Sequence, residues 1–517
     1  MKKIIGALLS ILPISVFGSV KDVAISDLES QIKNDVELVR YCRDGLQGIL
    51  EYMDTLTLLF PAERQKDKVL FTQEQRSEMR QVWSNYLDYH MYLEQVVNQY
   101  DGYDEIRFSD KISTEKFQEL KNEAFKVYRA AFSVQYRFAM EFFYRANNNR
   151  QSDKILNDES PELGLSKDSY ADVKYDFLNV KAASKFAAIE TINRLWAKNS
   201  GLWLSDSGED IVEKDVKRIW ELGKGKGELM TLKNAVTIVK RKSKSAILPT
   251  QTEVSEWMGD TKVYRKNQAL ISQEQIFKIK EKLLPGDILL ERREWYLSNI
   301  GLPGYWSHVA LYIGSPEERK AFFADEQIVG WLQKNGITDG DYEKLIKSKF
   351  PEQYQASQKL WHDHSPSVIE AISDGVVFTS LEYSAAADSV AVLRPKLSKL
   401  EKAKAILHAF GLSGRPYDFS FDFQRDSALV CTELVYKAYE GHLKFEIPKM
   451  MGHFVLPAND FAKQFAETYL TDEQQFDFVV FVDGNEYEKS ASFSDLEAFK
   501  ESWKRPKWHI LTKKGDG

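Results

Sequence analysis

Cys431 is the residue of this sequence best suited to nucleophilic chemistry. Leu434, Val435 and Ala438 follow it with helical spacing, which predicts a helix over residues 431–439 with the cysteine in its first turn. The free amides and positive dipole end of a helix N-terminus stabilise a thiolate over a thiol, so this position favours a reactive sulfur. A buried structural cysteine is the alternative for the segment taken alone. The residues that can contact the thiol must therefore distinguish a reactive cysteine from a structural one.

An imidazole and a carboxylate on two predicted strands can supply those partners. His308 alternates with apolar residues along its strand, and an imidazole can take a thiol proton and return it to a leaving amine near neutral pH. Glu370 lies among aliphatic residues in Val-Ile-Glu-Ala-Ile and is the best candidate to orient the histidine ring. A surface glutamate on an edge strand is the other interpretation of Glu370.

Five short motifs in the second half of the chain carry a family resemblance. In order they are Leu-Pro-Gly-Asp287, Ser-His308-Val-Ala-Leu-Tyr-Ile-Gly314, Val-Ile-Glu370-Ala, Gly414-Arg-Pro-Tyr417-Asp418 and Cys431-Thr-Glu433-Leu-Val-Tyr. Together they resemble the permuted papain-like amidases of the YaeF/YiiX type, which are relatives of the NlpC-like cell-wall peptidases and of lecithin:retinol acyltransferase. In papain-like enzymes the cysteine precedes the histidine, whereas here the histidine comes first, as in the circularly permuted branch. The resemblance covers about residues 275–482.

The resemblance implies a role for each residue of the site. Cys431 would be the nucleophile, His308 the general base and acid, and Glu370 the residue that orients His308. The backbone N–H of Cys431 would form part of an oxyanion hole. Tyr417 stands where related enzymes carry a tyrosine that donates its phenol to the same oxyanion, although it could equally be a packed aromatic. Asp287 looks like the family's turn aspartate, which caps a turn.

The elements around these residues have the pattern of a sheet with packed helices. Strands are predicted over residues 287–290, 307–314, 368–372, 376–378, 390–393 and 476–482, with Asp374-Gly375 as a hairpin turn. Helices are predicted over residues 399–410 and 431–439. An antiparallel sheet or small barrel with packed helices follows, so this half of the chain is predicted to be α+β.

The first half of the chain predicts an all-α helical bundle. Apolar residues recur every three to four positions from Leu28 to Met53, missing only Asp35, and again from Phe117 to Phe138. Further helical patterns cover residues 73–100 and 170–196, so four or more long helices are expected. Cys42 lies on the first apolar stripe and is interpreted as a small buried hydrophobe.

The order of these segments predicts the domain organisation. Residues 1–18 have the layout of a secretory signal peptide, so we expect export to the periplasm or the exterior. A helical bundle over residues 19–200, an irregular linker over 201–272 and a permuted papain-like domain over 273–517 follow. Residues 315–367 are too long for a loop and are interpreted as an insertion that forms a lid or a substrate-selecting wall.

Composition excludes several classes of function. The 517 residues carry 70 Lys and Arg against 77 Asp and Glu, so no basic excess is available to bind a nucleic acid. Two cysteines are too few for a disulfide framework or a multi-thiolate zinc site. His362-Asp363-His364 lacks further spaced ligands, which favours a polar turn, and we expect no metal and no cofactor. The short basic run at residues 240–244 favours a solvated patch and leaves contact with a membrane surface open.

These observations predict an exported cysteine amidase or peptidase that cleaves a peptide, cell-wall or acyl amide through an acyl-enzyme. A thiol acyltransferase or lipid hydrolase of the same fold is one alternative, which a narrow apolar tunnel would favour. A binding or scaffold protein that works through its helical bundle is the other. The complete set of Cys431, His308 and Glu370 argues against that last alternative.

Overall fold

A computed structural model describes residues 19–65, 69–107, 112–178, 180–200, 209–223, 268–296, 299–418, 428–450 and 453–508. Within these ranges the chain divides into two compact units. The first contains the described residues up to Asn157 and from Asp168 to Gly223, and the second contains Asp158–Lys167 and the described residues from 268 onward. The predicted signal peptide and most of the predicted linker lie outside the described residues.

The first unit is helical. Its helices are α1 (Ile25–Thr55), α2 (Gln73–Tyr100), α3 (Thr114–Asn147), α4 (Ser152–Leu156), α5 (Ser169–Phe177), α6 (Val180–Ser200) and α7 (Glu209–Gly223). Helix α2 begins at a capping box in which Thr72 and Gln75 each satisfy a free amide of the other. The predicted helix over residues 170–196 is instead two helices, α5 and α6. No glycine or proline marks this break in the sequence, so the pattern alone does not reveal it.

The buried face of helix α1 includes one acidic residue. Asp35 is buried, and its Oδ2 accepts hydrogen bonds from Gln99 Nε2 at 3.0 Å and from the Tyr100 hydroxyl at 2.8 Å. Both donors lie at the end of α2. The carboxylate is therefore a buried polar contact between two helices, and Cys42, on the same stripe, is buried as expected.

The second unit combines a sheet with helices on both faces. Its elements before the insertion are α8 (Gln273–Lys280), β1 (Asp287–Arg292) and β2 (His308–Tyr312). The insertion contains α9 (Pro316–Phe322), α10 (Glu326–Lys334), α11 (Tyr342–Lys349) and α12 (Pro351–Ala356). The remainder comprises β3 (Val368–Ile372), β4 (Gly375–Thr379), α13 (Leu381–Ser384), β5 (Ser389–Pro395), α14 (Lys399–Leu412), α15 (Cys431–Ala438), β6 (Lys449–Met450), β7 (His453–Phe454), α16 (Ala458–Thr468), β8 (Phe476–Asn485), β9 (Ser490–Ser494) and α17 (Leu496–Ser502).

Seven of the described strands form one antiparallel sheet in the order β4-β3-β2-β1-β5-β8-β9. The chain is therefore α+β, as predicted. Strand β9 and the short β6–β7 pair are additional to the prediction, and β9 follows β8 through a short turn whose residues are polar rather than apolar. No helix within the described ranges combines the length and the apolar character needed to cross a bilayer.

Alternation along the central strands separates two cores. Ile288, Leu290, Val309, Leu311 and Ile369 point into the larger core, which also contains apolar residues of α14, α15 and α16. The opposite face, with Leu289, Ala310 and Tyr312 among its members, packs in a smaller core with residues of α8 and α13. Period-two alternation thus buries both faces of the sheet.

The insertion packs onto helix α14 and contributes to the larger core. The Tyr342 hydroxyl donates to the Ala403 carbonyl at 2.6 Å, and Gly411 leaves space for the ring of Phe350. Arg319 is buried and makes a two-pronged ion pair with Glu343. The insertion is thus a folded helical segment and not a loop, and it shares a core cluster with Cys431.

The β3–β4 hairpin differs from its prediction by one residue. Ile372 pairs with Gly375, so the turn residues are Ser373 and Asp374, and Gly375 is the first residue of β4. Gly375 has φ +98°, and a Cβ on it would lie 2.4 Å from the Arg415 carbonyl oxygen. The glycine is needed for this close backbone approach rather than for the turn itself.

Candidate active site

Cys431 is the first residue of helix α15. Its neighbours Leu434 and Val435 pack in the larger core, and the helix lies against β2, β3 and α14. Val430 is the N-cap, and its carbonyl accepts the first helical hydrogen bond from Leu434 N at 3.0 Å. The N–H groups of the first turn therefore have no acceptor inside the helix, and Cys431, the first residue of that turn, is only 4% exposed.

His308 contacts both of its predicted partners. Its Nε2 lies 2.7 Å from Glu370 Oε2, and its side chain is hydrogen-bonded to that of Cys431. Because Nε2 serves the carboxylate, Nδ1 is the ring nitrogen left for the sulfur. The structure thus brings together Cys431, His308 and Glu370, which lie far apart in the sequence.

The surroundings of His308 favour its protonated form. Burial lowers its pKa, but the negative charge and hydrogen bond of Cys431, the hydrogen bond to Glu370 and the charge of Glu291 outweigh burial and raise the pKa to about 10. An imidazolium beside a sulfur stabilises the thiolate. The imidazole of His308 is therefore protonated at neutral pH, with Cys431 as one of its hydrogen-bond partners.

Glu370 is held as a carboxylate although no part of it reaches solvent. Burial raises its pKa, but the charge of Arg293 and the hydrogen bonds from His308 and Thr379 hold the pKa below its usual range. Thr379 Oγ1 donates to Oε1 at 2.5 Å, so the two oxygens of Glu370 have different partners. One oxygen anchors the side chain while the other orients the imidazole.

Tyr417 lies close to the cysteine through a short backbone pairing. It forms an isolated parallel bridge with Leu429, two residues before Cys431, and packs against the larger core. Burial and the charges of Cys431 and Asp418 raise the pKa of its phenol well above its usual value. A protonated phenol can donate a hydrogen bond to an oxyanion, so the position is compatible with the implied role.

Sequence reasoning does not single out Glu291 and Arg293, which also belong to this cluster. Glu291 is the register partner of His308 in the β1–β2 pair, and one atom each of Glu291, His308 and Glu370 lie within 4.8 Å of one another. The local sequence Glu-Arg-Arg-Glu is typical of a solvent-exposed surface segment. The place of Glu291 directly after the aliphatic run of residues 288–290 is the signal that could have found it.

This trio of ligand atoms could in principle hold a metal ion. Arg293 already supplies the cation, because its Nε donates to Glu291 Oε2 at 2.6 Å and its Nη2 donates to Glu370 Oε2 at 3.3 Å. A guanidinium matches two carboxylates through its fork of donors. The donor set therefore fits an arginine-bridged carboxylate pair better than a metal site.

Asp287 is the first residue of β1 and directly follows the turn at Pro285 and Gly286. Its Oδ2 accepts from Leu284 N at 2.8 Å, and Arg394 makes a two-pronged ion pair with the same carboxylate. Asp287 thus caps a turn and ties it to β5, as the resemblance implies.

The His362-Asp363 segment forms a tight turn. Trp361 and His364 exchange backbone hydrogen bonds of 2.8 and 3.0 Å, and both turn residues have positive φ. The His362 ring stacks on Tyr383 with the ring centres 5.5 Å apart. The two histidines therefore belong to a polar surface turn in the described structure.

A helix-borne thiol hydrogen-bonded to a histidine that is itself bonded to a buried carboxylate, on an antiparallel sheet, is the arrangement of papain-like cysteine hydrolases. Residues 282–491 match the family model of the permuted papain-like amidase enzymes, YaeF/YiiX, C92 family. The match confirms the resemblance carried by the motifs and contains all four predicted site residues, but it begins after the helical unit and covers less than half of the chain. Neither the curated proteins nor the solved structures gave a match.

Proposed function

We propose that this protein is a cysteine amidase or peptidase that forms an acyl-enzyme at Cys431, with His308 as general base and acid. The observation that carries the proposal is that the side chain of His308 is hydrogen-bonded both to Cys431 and to Glu370. A nucleophile, a base and a group that orients the base together form the arrangement that activates a thiol for nucleophilic cleavage of an amide. The family match of residues 282–491 supports the reaction class.

The geometry suggests a sequence of proton transfers. The Cys431 thiolate attacks the amide carbonyl carbon, and the N–H of Cys431 and the phenol of Tyr417 donate to the resulting oxyanion. Collapse breaks the C–N bond while the His308 imidazolium gives its proton to the leaving amine, which leaves a thioester and a neutral imidazole. A water molecule then attacks the thioester carbonyl carbon while His308 takes a proton from the water. Cleavage of the C–S bond releases the carboxylic acid and leaves the Cys431 thiolate beside the His308 imidazolium.

Peptide or cell-wall amides outside the cytoplasm are the substrates we propose. The signal-like layout of residues 1–18 supports export, and the YaeF/YiiX type resembles the cell-wall peptidases. In that setting the helical unit would be free to recognise the substrate or to bring the enzyme to it.

A thiol-directed acyl probe tests the nucleophile. We expect the full chain to be labelled at Cys431, labelling to be lost in Cys431→Ala, and the labelling rate to fall by about 10²-fold or more in His308→Ala. Cys42→Ala is the matched control, because burial raises the pKa of the Cys42 thiol and that residue should not react. Unchanged labelling in Cys431→Ala, or none in the parent protein, contradicts the proposal.

A further inference from the structure

Two charged residues outside the three-residue set lie against it. Glu291 is on β1 and Arg293 immediately follows that strand. Glu291 is fully buried, with its carboxylate near His308 and Glu370. A charge removed from water in this way costs several kcal/mol unless it is paired, so its presence requires an explanation.

Hydrogen bonds fix both carboxylates of this cluster. Glu291 Oε1 accepts from Ser384 Oγ at 2.5 Å, and its Oε2 accepts from Arg293 Nε at 2.6 Å. Glu370 Oε1 accepts from Thr379, and its Oε2 accepts from His308 and from Arg293. All four carboxylate oxygens therefore have a donor, and neither side chain can rotate without breaking a buried bond.

Arg293 also contacts residues other than the two carboxylates. Its Nη2 donates to the Ser384 carbonyl at 3.1 Å, and its guanidinium lies over the Tyr383 ring, 5.5 Å from the ring centre. Both of these residues belong to α13. The guanidinium is thus a rigid link between α13 and the two carboxylates, which a lysine could not reproduce because it lacks the planar fork.

The charges of the cluster explain why two acids are useful. Burial raises the pKa of Glu291, whereas the charges of Arg293 and His308 and the hydrogen bond from Ser384 favour its ionised form. When both acids are ionised they repel each other, and Arg293 offsets one of the two charges. The remaining negative charge faces the imidazole of His308. The histidine therefore lies between the sulfur on one side and a carboxylate pair with a net negative charge on the other.

We propose that Glu291 and Arg293 are positioning residues of the Cys431 site: Arg293 fixes Glu370 in the orientation that holds His308, and Glu291 supplies a second negative charge that keeps the imidazole protonated. This inference rests on the proposed function. The charged and titratable groups that face His308 are Glu291 from β1, Arg293 after it, Glu370 from β3 and Cys431 from α15. Tyr417 is close enough to Cys431 for the charge of the sulfur to raise the pKa of its phenol.

Alkylation by iodoacetate tests this role without a substrate. The anionic reagent reacts fastest with a thiolate that has an imidazolium beside it, so the rate falls at alkaline pH when His308 loses its proton. The rate is measured on the full chain from the mass of the Cys431 peptide. In the parent protein the fall should centre near pH 10, the raised pKa of His308.

Two variants should lower the pH at which the alkylation rate of Cys431 falls, a change that is called here the alkaline fall. Glu291→Gln keeps the shape of the side chain but removes its charge, so the fall should shift to lower pH by at least about one unit. Ser384→Ala deletes only the hydroxyl that bonds Glu291 and makes its ionised form less stable. It should shift the fall in the same direction by less, and it serves where Glu291→Gln folds poorly.

Arg293→Lys distinguishes the effect of the positive charge from that of the planar guanidinium group. It keeps a positive charge but loses the fork, so we expect the alkaline fall to stay in place while the maximum alkylation rate decreases by about tenfold, because Glu370 no longer fixes the ring. Glu343→Gln is the matched control, since it breaks another buried arginine pair of the same unit, that with Arg319. It should reduce thermal stability and leave both the maximum rate and the alkaline fall at parent values.

The outcomes separate this inference from the function beneath it. Fast alkylation of Cys431 with an unmoved alkaline fall in Glu291→Gln and Ser384→Ala overturns the positioning role and leaves the proposed function standing. An equal shift in Glu343→Gln overturns it as well, because the effect would then be general. Alkylation of Cys431 no faster than that of Cys42 in the parent protein removes the proposed function and this inference together.

Discussion

Thr379 holds the oxygen of Glu370 that His308 does not use. The hydroxyl donates to Oε1 at 2.5 Å, and both residues are fully buried. A hydrogen bond to a buried charge is worth more than one between neutral groups, because no water can replace the lost donor. The orientation of the histidine therefore depends on a residue that takes no part in proton transfer.

Thr379→Val should reduce the free energy of unfolding by about 1.5–3 kcal/mol at pH 7. The folded-state pKa of Glu370 lies below its unfolded value, so its stabilising contribution is present above about pH 4.3 and is lost as pH falls through the folded pKa. The variant moves the folded pKa upward. The difference from the parent protein should thus be full at neutral pH and vanish in acid.

Urea denaturation at several pH values measures this difference. Thr379→Ser keeps the hydroxyl and serves as the control, so its stability loss should not depend on pH. A Thr379→Val deficit that stays constant from pH 7 to pH 3 would show that the hydroxyl does not stabilise the ionised form of Glu370.

At the scale of single elements, local patterns predict the strands and helices that carry the site. The predicted strand over residues 368–372 is β3, and the predicted helix over residues 431–439 is α15, one residue shorter. Helix existence and strand existence follow from periodicity because each element buries one face or both. The split of residues 170–196 into two helices has no such local signal.

The approach of His308 to Cys431 does not follow from alternation. The residues that share its face, Ala310 and Tyr312, pack in the smaller core, whereas Cys431 belongs to the larger one. His308 is the first residue of β2, and from this strand end it reaches the sulfur. Likewise, Glu291 pairs with His308 of β2 and Val390 of β5 and accepts a hydrogen bond from Ser384 of α13, so its surroundings come from three other elements.

The β3–β4 hairpin next to Glu370 offers a test of element geometry. Gly375→Ala would place a Cβ 2.4 Å from the Arg415 carbonyl, whereas Gly414→Ala, at a similar φ of +88°, would meet nothing within 4 Å. Both variants carry the cost of a positive φ, about 1–2 kcal/mol. We expect Gly375→Ala to lose at least about 2 kcal/mol more in urea denaturation, because the backbone must also move.

The same pair of variants has a functional readout. Because Glu370 lies on β3, displacement of β4 should also slow acyl-probe labelling of Cys431 in Gly375→Ala. Equal stability losses in the two variants would mean that the hairpin accommodates the methyl group without strain.

At the scale of the whole molecule, each unit contains its own buried core. The helical unit buries the facing sides of α1, α2 and α3, and the second unit buries the two faces of its sheet. The Cys431 cluster is assembled entirely from residues of the second unit. The two cores should therefore respond separately to substitutions.

Asp35→Ala tests this separation from the helical side. The change removes the acceptor of the Gln99 amide and the Tyr100 hydroxyl and leaves two buried donors, so the helical unit should lose about 2–4 kcal/mol. Thermal unfolding followed by circular dichroism should show a helical transition at lower temperature. The rate of acyl-probe labelling at Cys431 at 25 °C should equal that of the parent protein, whereas Gly375→Ala should slow labelling and leave the helical transition in place. Slower labelling in Asp35→Ala under conditions where the helical unit is still folded would mean that the first unit contributes to the chemistry at Cys431, since no atom of the described cluster comes from it.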